Sequence, residues 1–370
     1  STLGALQATQ ASYYRDYRFA EVFASLKRAP ESLRQRIEAI GGVEQVQTRV
    51  MVPVRLDMPG FAEPVTGLMV SVSEGSGDGR DDGVGLNALY LRQGRLPAPS
   101  RPDEVVVSSP FAQAHALQLG DRFGAILNGR RQQLTLVGMA LSPEFIQQMR
   151  PGSAFPDYKR YGVMWMGRRA LAQAYDMEGA FNTLALDLSP TASLRDVIDR
   201  IDELLKPYGG LGAYGREDQL SHRFLSQELQ QLGTLARLFP VIFLGIAAFL
   251  LNVVISRLVA MQREQVATLK AFGYSNLAVL GHYLKLVSMI VGLGVLGGTA
   301  LGVWLGRGLS GIYGEFYHFP YLEFTLQPAS VLQATLASGL AAGAGTVLAV
   351  WRAASLRPAE AMRPEPPARY

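Results

Sequence analysis

Three long apolar segments in the last third of the chain constrain its fold more than any other feature. They cover about 238–256, 286–306 and 329–350. A helix of about 20 apolar residues, rising about 1.5 Å per residue, is long enough to cross a hydrocarbon core roughly 30 Å thick. No ionisable residue lies near the middle of a segment, which argues against a proton relay or an ion pathway. We therefore predict an all-α transmembrane bundle over 238–352.

Charged residues divide the chain into two unlike parts. From residue 232 onward there are ten Lys or Arg and five acidic residues, so the first 231 residues hold the other 25 of 35 basic and 26 of 31 acidic residues. This front part is nearly neutral and large enough to bury a core of its own. The formal net charge of +4 arises in the membrane part and gives no reason to expect a nucleic acid as partner.

Basic residues also indicate how the spans are oriented. The loop between the first two spans, with its borders, is basic except for one acid. Its charged residues are Arg257, Arg263, Glu264, Lys270 and Lys285. By the positive-inside rule this loop and the tail, 353–370, are cytoplasmic, and the aromatic connection 307–328 lies at the outer interface. We predict a multi-pass protein of the plasma (inner) membrane with a large domain, 20–218, on the periplasmic side.

An exported N-terminal domain followed by three spans requires an earlier span. The chain starts Ser1-Thr2-Leu3-Gly4, which resembles neither an initiator segment nor a signal peptide. We expect residues 1–19 to be the end of a first span and its stalk. The sequence contains no cysteine, so the exported domain is held by its core and not by disulfides.

Alternating apolar residues in the front part predict an α+β domain. Residues 20–28 and 46–54 alternate as strands do, and a helix between them is expected to begin at Pro30 and end before Gly41. A further strand over 183–188 leads to a helix for which Ser193 is the expected N-cap.

These two strand–helix units predict how the domain is organised. We expect one sheet-and-helix layer built from 20–60 and 180–218, because both ends of the region carry such a unit. Between them, 61–179 reads as an inserted strand-rich subdomain with a hairpin turn at Asn128-Gly129. Helical periodicity then begins near 219, which predicts a stalk helix over 219–237 that continues into the first span and joins the domain to the bundle.

One polar loop and one glycine pattern are the candidate functional features of the membrane part. Within the loop, the candidate residues are Arg263, Glu264, Leu269, Lys270, Phe272, Gly273 and Tyr274. From the residues alone, a solvated basic turn that obeys the positive-inside rule is the favoured explanation of this loop. Small residues recur every four positions at Gly294, Gly298, Gly302 and Gly306, and again at Gly339 and Gly343. Such ridges allow helices to approach closely, and we expect packing within one subunit in preference to a dimer contact.

The loop and the C-terminal ending carry a resemblance to a known family. The loop 263–274 reads REQVATLKAFGY and the ending 357–363 reads RPAEAMR. Both resemble the FtsX-like permease domain of MacB-type ABC transporters. The front domain is similar to the periplasmic core of that family through 94–97 (GRLP), 103–107 (DEVVV) and 119–121 (LGD). The chain looks most like the first half of the branch that duplicates this unit into ten spans.

The resemblance implies a machine whose ATPase is a separate chain. The sequence has no phosphate-binding loop of its own, so no cofactor is expected on this chain and ATP with Mg²⁺ belongs to the partner. The implied partners are two copies of an ABC ATPase subunit that push the 263–274 loop, a second permease half or copy, membrane lipids, and a periplasmic enzyme or lipoprotein. The implied function is mechanotransmission that moves or extracts a lipid-, lipoprotein- or peptide-like substrate.

Two other functions remain open from the sequence. The same architecture serves a transmembrane signal transducer that controls a periplasmic enzyme without moving any solute. A membrane-anchored enzyme is less favoured, because no Ser/His/Asp constellation is assembled in the sequence and we expect this subunit to be non-catalytic. The histidines are His115, His222, His282 and His318. They lack metal-ligand spacing, and we interpret them as isolated surface or hydrogen-bonded residues.

Overall fold

The structure, a computed structural model, describes residues 2–58, 60–72, 85–99, 101–150, 152–153, 155–317, 319 and 328–354. The glycine-rich segment 75–83 and the ending 357–363 lie outside these residues. The chain forms two compact units. We call one the sheet unit, comprising Leu6–Leu229 and Gly311–Leu322, and the other the helical unit, comprising Ser1–Ala5, Gln230–Ser310 and Glu323–Tyr370.

The described elements confirm an α+β region followed by long helices. The strands are β1 (Val22–Pro30), β2 (Val43–Arg49), β3 (Met51–Asp57), β4 (Val65–Val72), β5 (Tyr90–Gly94), β6 (Glu104–Ser108), β7 (Arg122–Leu127), β8 (Arg130–Leu141), β9 (Tyr161–Gly167), β10 (Ala180–Leu188) and β11 (Ala213–Gly215). The helices are α1 (Thr2–Asp16), α2 (Leu33–Glu38), α3 (Ser109–Ala114), α4 (Arg168–Ala174), α5 (Leu194–Leu205), α6 (Leu220–Met261), α7 (Arg263–Ala271), α8 (Asn276–Tyr317) and α9 (Pro328–Ala354).

A four-stranded sheet in the order β11-β1-β10-β2 forms the first layer of the sheet unit. Its strands are antiparallel, and α2 and α5 cover one face. The apolar residues at helical spacing on α5, Val197, Ile201 and Leu205, are buried in the shared core. The predicted N-cap is confirmed, because the Ser193 side chain accepts the N–H of Asp196 at 3.4 Å.

The predicted start and end of the first helix are wrong. Pro30 is the last residue of β1 and pairs with Ala180 at the end of the ladder, where the missing proline N–H interrupts no interior hydrogen bond. The helix begins at Leu33 instead. The left-handed residue after it is Gly42, with φ +96°, and not Gly41. A Cβ on Gly42 would lie 2.8 Å from the Cβ of Ala192, so this position is also too close to the chain for a side chain.

A seven-stranded sheet in the order β5-β8-β6-β9-β4-β3-β7 forms the second layer. Because β7 pairs with β8 as well as with β3, six of its strands close into a ring around a buried apolar core. The first half of β8 pairs with β7 and its second half with β5 and β6. The predicted hairpin turn is confirmed, since Asn128 and Gly129 have φ of +46° and +78° between β7 and β8.

The single strand expected over 46–54 is two strands in two different sheets. β2 pairs with β10 in the first layer, and β3 pairs with β4 and β7 in the second. The exchange occurs at Val50, whose N–H donates to the Ser71 hydroxyl at 2.9 Å. Asn182 holds the next residue, accepting the N–H of Met51 and donating to its carbonyl, each at 2.8 Å. The alternation continues through Val50, so the sequence carries no local mark of the exchange.

Among the residues that the structure describes, three helices are long and apolar enough to cross a membrane. They are Leu220–Met261, Asn276–Gly314 and Pro328–Leu348, and each predicted apolar segment lies within one of them or extends two residues past its end. α6 is one continuous helix from Leu220 to Met261 and contains Pro240. A small buried cluster joins α6, α7, α8 and α9 in the helical unit.

Candidate functional site

The predicted coupling loop folds as helix α7 and a tight turn. Residue Gln262 separates α7 from the end of α6, and the Tyr283 hydroxyl on α8 donates to the Gln262 side-chain carbonyl at 2.8 Å. At the other end, Ser275 caps α8, because its hydroxyl accepts the N–H of Ala278 at 3.2 Å. Both ends of the connection between α6 and α8 are therefore fixed by side chains.

The C-terminal end of α7 is a Schellman motif. The N–H of Gly273 donates to the Lys270 carbonyl at 3.0 Å, and the N–H of Tyr274 donates to the Leu269 carbonyl at 3.1 Å. Gly273 has φ +94°, a left-handed conformation. A residue with a Cβ resists this conformation, so Gly273 fixes where the helix ends and how the chain leaves it.

α7 presents one apolar face inward and another outward. Val266 and Ala267 are buried, and Val266 belongs to the cluster that joins α6, α7, α8 and α9. In contrast, Leu269 is 43%, Phe272 80% and Tyr274 55% exposed. We call these three side chains the apolar knob. Because α7 is held from inside and at both ends, the knob is displayed on a fixed backbone.

Polar residues accompany the apolar knob. Glu264 and Gln265 are exposed and Lys270 is half-buried. The Thr268 hydroxyl donates back to the Glu264 carbonyl at 2.8 Å, within the helix. The side chain of Arg263, the remaining predicted candidate, lies outside the described part of the chain. An exposed aromatic and apolar centre with a polar rim is typical of a protein-docking surface.

The glycine ridge of α8 lines an open cleft. No atom of the described residues outside the local helix backbone lies within 4 Å of a Cβ built on Gly294, Gly298 or Gly302. With Gly306 and residues of α9, the ridge lines a cleft of about 700 Å³. Gly339 and Gly343 border a second cleft of about 520 Å³ and are open in the same way. The described residues therefore do not supply the close helix contact that the ridge predicts.

The sequence does not reveal a buried polar junction at the start of α6. Arg49, at the end of β2, and Glu144, after β8, are only 5% and 7% exposed and make a two-pronged ion pair with distances of 2.5 and 3.0 Å. Asn87 donates to the same carboxylate at 3.0 Å. Gln219 donates to the Glu144 carbonyl at 2.8 Å, directly before α6. The junction thereby ties both sheets to the root of α6 within the sheet unit.

His222, interpreted from the sequence as a surface or hydrogen-bonded residue, is part of a hydrogen-bonded chain. Its Nδ1 lies 3.0 Å from the Tyr14 hydroxyl on α1, and its Nε2 lies 3.2 Å from the Ser226 hydroxyl on α6. Burial, and then Arg216, lower the pKa of His222, with Glu217 opposing them. Burial raises the pKa of Tyr14 to about 12. Spacing in the sequence cannot show this contact, because Tyr14 and His222 are 208 residues apart.

Metal-ligand geometry is lacking in the part of the chain that the structure describes. No group of three or more His, Asp or Glu side chains there is placed to hold a metal ion. His115 contacts the Lys159 carbonyl at 2.9 Å, and His282 packs edge-on against Tyr283. His318 lies outside the described residues.

Comparison with known proteins finds a family match within the helical part of the chain. Residues 237–358 match the family of the FtsX-like permease C-terminal domain. Over 270 residues the chain is 24% identical to an uncharacterized ABC transporter permease protein of Mycobacterium tuberculosis, an alignment that covers 72% of this chain and 29% of that protein. The chain thus matches less than a third of the length of this relative.

Two solved structures are similar to part of the chain at low identity. One is the extracellular domain of the noncanonic ABC-type transporter YknZ from Gram-positive bacteria, with 11% identity, 53% of this chain and 98% of that chain covered, and a TM-score of 0.33. The other is the periplasmic region of MacB from Actinobacillus actinomycetemcomitans, with 10% identity, coverage of 60% and 97%, and a TM-score of 0.34.

Proposed function

Because residues 237–358 form an FtsX-like permease C-terminal domain in a chain homologous to an ABC transporter permease, we propose that α7 is the docking element for an ABC ATPase subunit. The observation that carries this proposal is the apolar knob on a backbone fixed at both ends. ATP and Mg²⁺ belong to that partner, of which we propose two copies. This chain supplies the membrane-embedded subunit.

The apolar knob contributes most of the docking energy in this proposal. Buried aromatic anchors contribute most of the energy of many protein interfaces. Exposed ion pairs contribute about 0–1 kcal/mol each. Leu269 and Phe272 insert into the partner, and Glu264 and Lys270 set the register around them. Since Val266 and Ala267 anchor the opposite face of α7, force on the knob is passed to the cluster that joins the four helices of the helical unit.

α6 is the element proposed to convey this force. It runs without interruption from Leu220 to Met261, about 60 Å at 1.5 Å per residue. Gln219 and Glu144 tie the start of α6 to both sheets. Displacement of the helix would therefore displace the strands of the sheet unit. In the proposed orientation α7 and the tail face the cytoplasm, and the sheet unit lies on the outer, periplasmic side of the inner membrane.

The substrate class follows from this mechanical role. We propose that the motion moves or extracts a lipid-, lipoprotein- or peptide-like substrate at the outer face, together with a second permease half or copy and a periplasmic enzyme or lipoprotein partner. Because the matched relative is a permease by name, transport is preferred over signalling without transport.

Co-expression with ABC ATPase subunits from the source genome tests the docking. Leu269→Asp removes an apolar anchor, and Gly273→Val disfavours the left-handed turn that ends α7. In the double variant we expect copurification and stimulated ATP hydrolysis to be lost while the sheet unit stays folded. Lys270→Ala should have a smaller effect. Gln265→Asp, on an exposed polar position of the same helix, is the matched control and should bind. Full ATPase binding by the double variant would contradict the proposal.

A further inference from the structure

Two helices from opposite ends of the front part meet at His222. The C-terminal half of α1 and the first turns of α6 both belong to the sheet unit, and side chains from each contribute to one hydrogen-bonded chain. Gln10 donates to the Tyr14 hydroxyl at 3.3 Å, Tyr14 contacts His222 Nδ1 at 3.0 Å, and His222 Nε2 contacts Ser226 at 3.2 Å.

The geometry is satisfied by one neutral form of the ring. Since Gln10 already donates to Tyr14, the tyrosine proton is available for Nδ1, and Nε2–H then donates to the Ser226 hydroxyl. The backbone N–H of His222 donates to the Gln219 side-chain carbonyl at 2.7 Å, which fixes the start of the helix. Each polar atom of the neutral ring therefore has a partner, and the ring links α1 to α6.

A cation is already present next to this contact. The Arg216 guanidinium lies 5.9 Å from the centre of the Tyr14 ring and 5.2 Å from that of Phe19, and it donates to the carbonyls of Phe19 and Ala20. Arg216 and Glu217 are the charged groups that act on the imidazole, and Tyr14 is the titratable group facing it from α1. A proton on Nδ1 would oppose the tyrosine donor and add positive charge near Arg216.

We propose that the Gln10–Tyr14–His222–Ser226 chain is a pH-sensitive staple between α1 and α6, closed while His222 is neutral and released when it is protonated. The staple is independent of the docking proposed for α7. Its exposure to external acid rests on the proposed orientation, in which the sheet unit lies on the outer, periplasmic side of the inner membrane.

The direction of the pH effect follows from linkage. The pKa of His222 is lowered from 6.5 in the folded chain, mainly by burial. The closed contact is therefore fully present above 6.5 and is lost as the pH falls through the lowered pKa. The ratio of closed to open chains changes by up to about tenfold for each unit by which the pKa of His222 differs between the closed and open forms.

Distance measurement between two labels tests the staple directly. The chain has no cysteine, so Ala11→Cys and Gln227→Cys, both at exposed positions, place spin labels on α1 and α6 of the full chain in lipid nanodiscs. From about pH 8 to about pH 5 we expect the short-distance population to fall, with a midpoint below the ordinary value for histidine. Histidine NMR on the same samples reports the titration of His222.

Three variants separate the staple from general acid effects. His222→Gln keeps a neutral donor and acceptor and should stay closed at both pH values. His222→Lys carries a permanent charge and should be open at both. His115→Gln, at the C-terminal end of α3, should keep the response of the unsubstituted chain. The proposal is overturned if distances do not change while His222 titrates, if His222 stays neutral to about pH 4.5, or if His222→Gln responds to pH like the unsubstituted chain.

Discussion

The sheet unit buries a pair of charged side chains, whereas the helical unit exposes large apolar ones. In the sheet unit the charges of Arg49 and Glu144 are buried against each other. In the helical unit large apolar side chains face outward, and Phe249 is 65% exposed. Water drives apolar groups inward, whereas a hydrocarbon solvent does not. The difference indicates that each unit is built for its own solvent, water for the sheets and lipid for the helices.

The buried ion pair gives the largest expected effect. Glu144→Ala leaves the Arg49 guanidinium buried without its partner, and removing one member of such a pair costs about 3–5 kcal/mol of unfolding free energy. Denaturant unfolding of the purified chain, followed by circular dichroism in the near ultraviolet, measures this loss. Arg131→Ala breaks the exposed pair with Asp57 and should cost less than about 1 kcal/mol.

Replacing both members of the pair sharpens this test. Arg49→Met with Glu144→Leu removes both charges at once, and apolar replacement of a buried pair is often neutral or stabilising. We expect the double variant to recover most of the stability lost in Glu144→Ala. Equal losses for Glu144→Ala and Arg131→Ala would show that burial of the first pair does not matter.

A charge on the outer face of α6 gives the next largest effect. Phe249→Asp places a carboxylate on the face of α6 that is expected to contact lipid. It should raise the free energy of membrane insertion of that helix by about 2.5–3.5 kcal/mol. The inserted fraction, measured with glycosylation tags on both sides of the span, should fall accordingly. Phe249→Ala is the matched control and should insert. Normal insertion of the aspartate variant would place this face in water or against protein.

The smallest expected changes in stability come from substitutions at two glycines. One glycine lies against a neighbouring helix and the other faces open space. A Cβ on Gly345 would lie 3.1 Å from the Ala248 carbonyl oxygen, whereas one on Gly298 meets nothing within 4 Å. Gly345→Leu should therefore cost about 1–3 kcal/mol through overpacking. Gly298→Leu should change the stability of the isolated chain by no more than about 0.5 kcal/mol. A large loss for Gly298→Leu in the isolated chain would restore the intrachain packing that the ridge predicts.

The sequence predicts those features that depend on local chemistry. The Asn128-Gly129 turn, the Ser193 cap and the apolar helices follow from residue types at short spacing. The exchange of sheets at Val50 does not, because both strands alternate alike and only their distant partners differ. Pro30 misleads for the same reason, since pairing with Ala180 overrides its preference for a helix start.

Part of the candidate site could not be predicted from the sequence either. The exposure of Leu269 and Phe272 follows once α7 is known to bury Val266 and Ala267, and the helical period of the loop indicates that face. The Arg49–Glu144 junction and the His222 chain unite residues 95 and 208 positions apart. Helix and strand periodicities relate residues a few positions apart, so they cannot predict these contacts from a single sequence.

Photo-crosslinking from α7 tests the central claim most directly. In the cysteine-free chain, Phe272→Cys carries a benzophenone label at the apolar knob, and Thr191→Cys carries it at an exposed position of the sheet unit. With the ABC ATPase subunit co-expressed in intact cells, we predict a covalent adduct of the two chains from Phe272→Cys and none from Thr191→Cys. An ATPase that copurifies but crosslinks only from Thr191→Cys would contradict both the docking and the orientation.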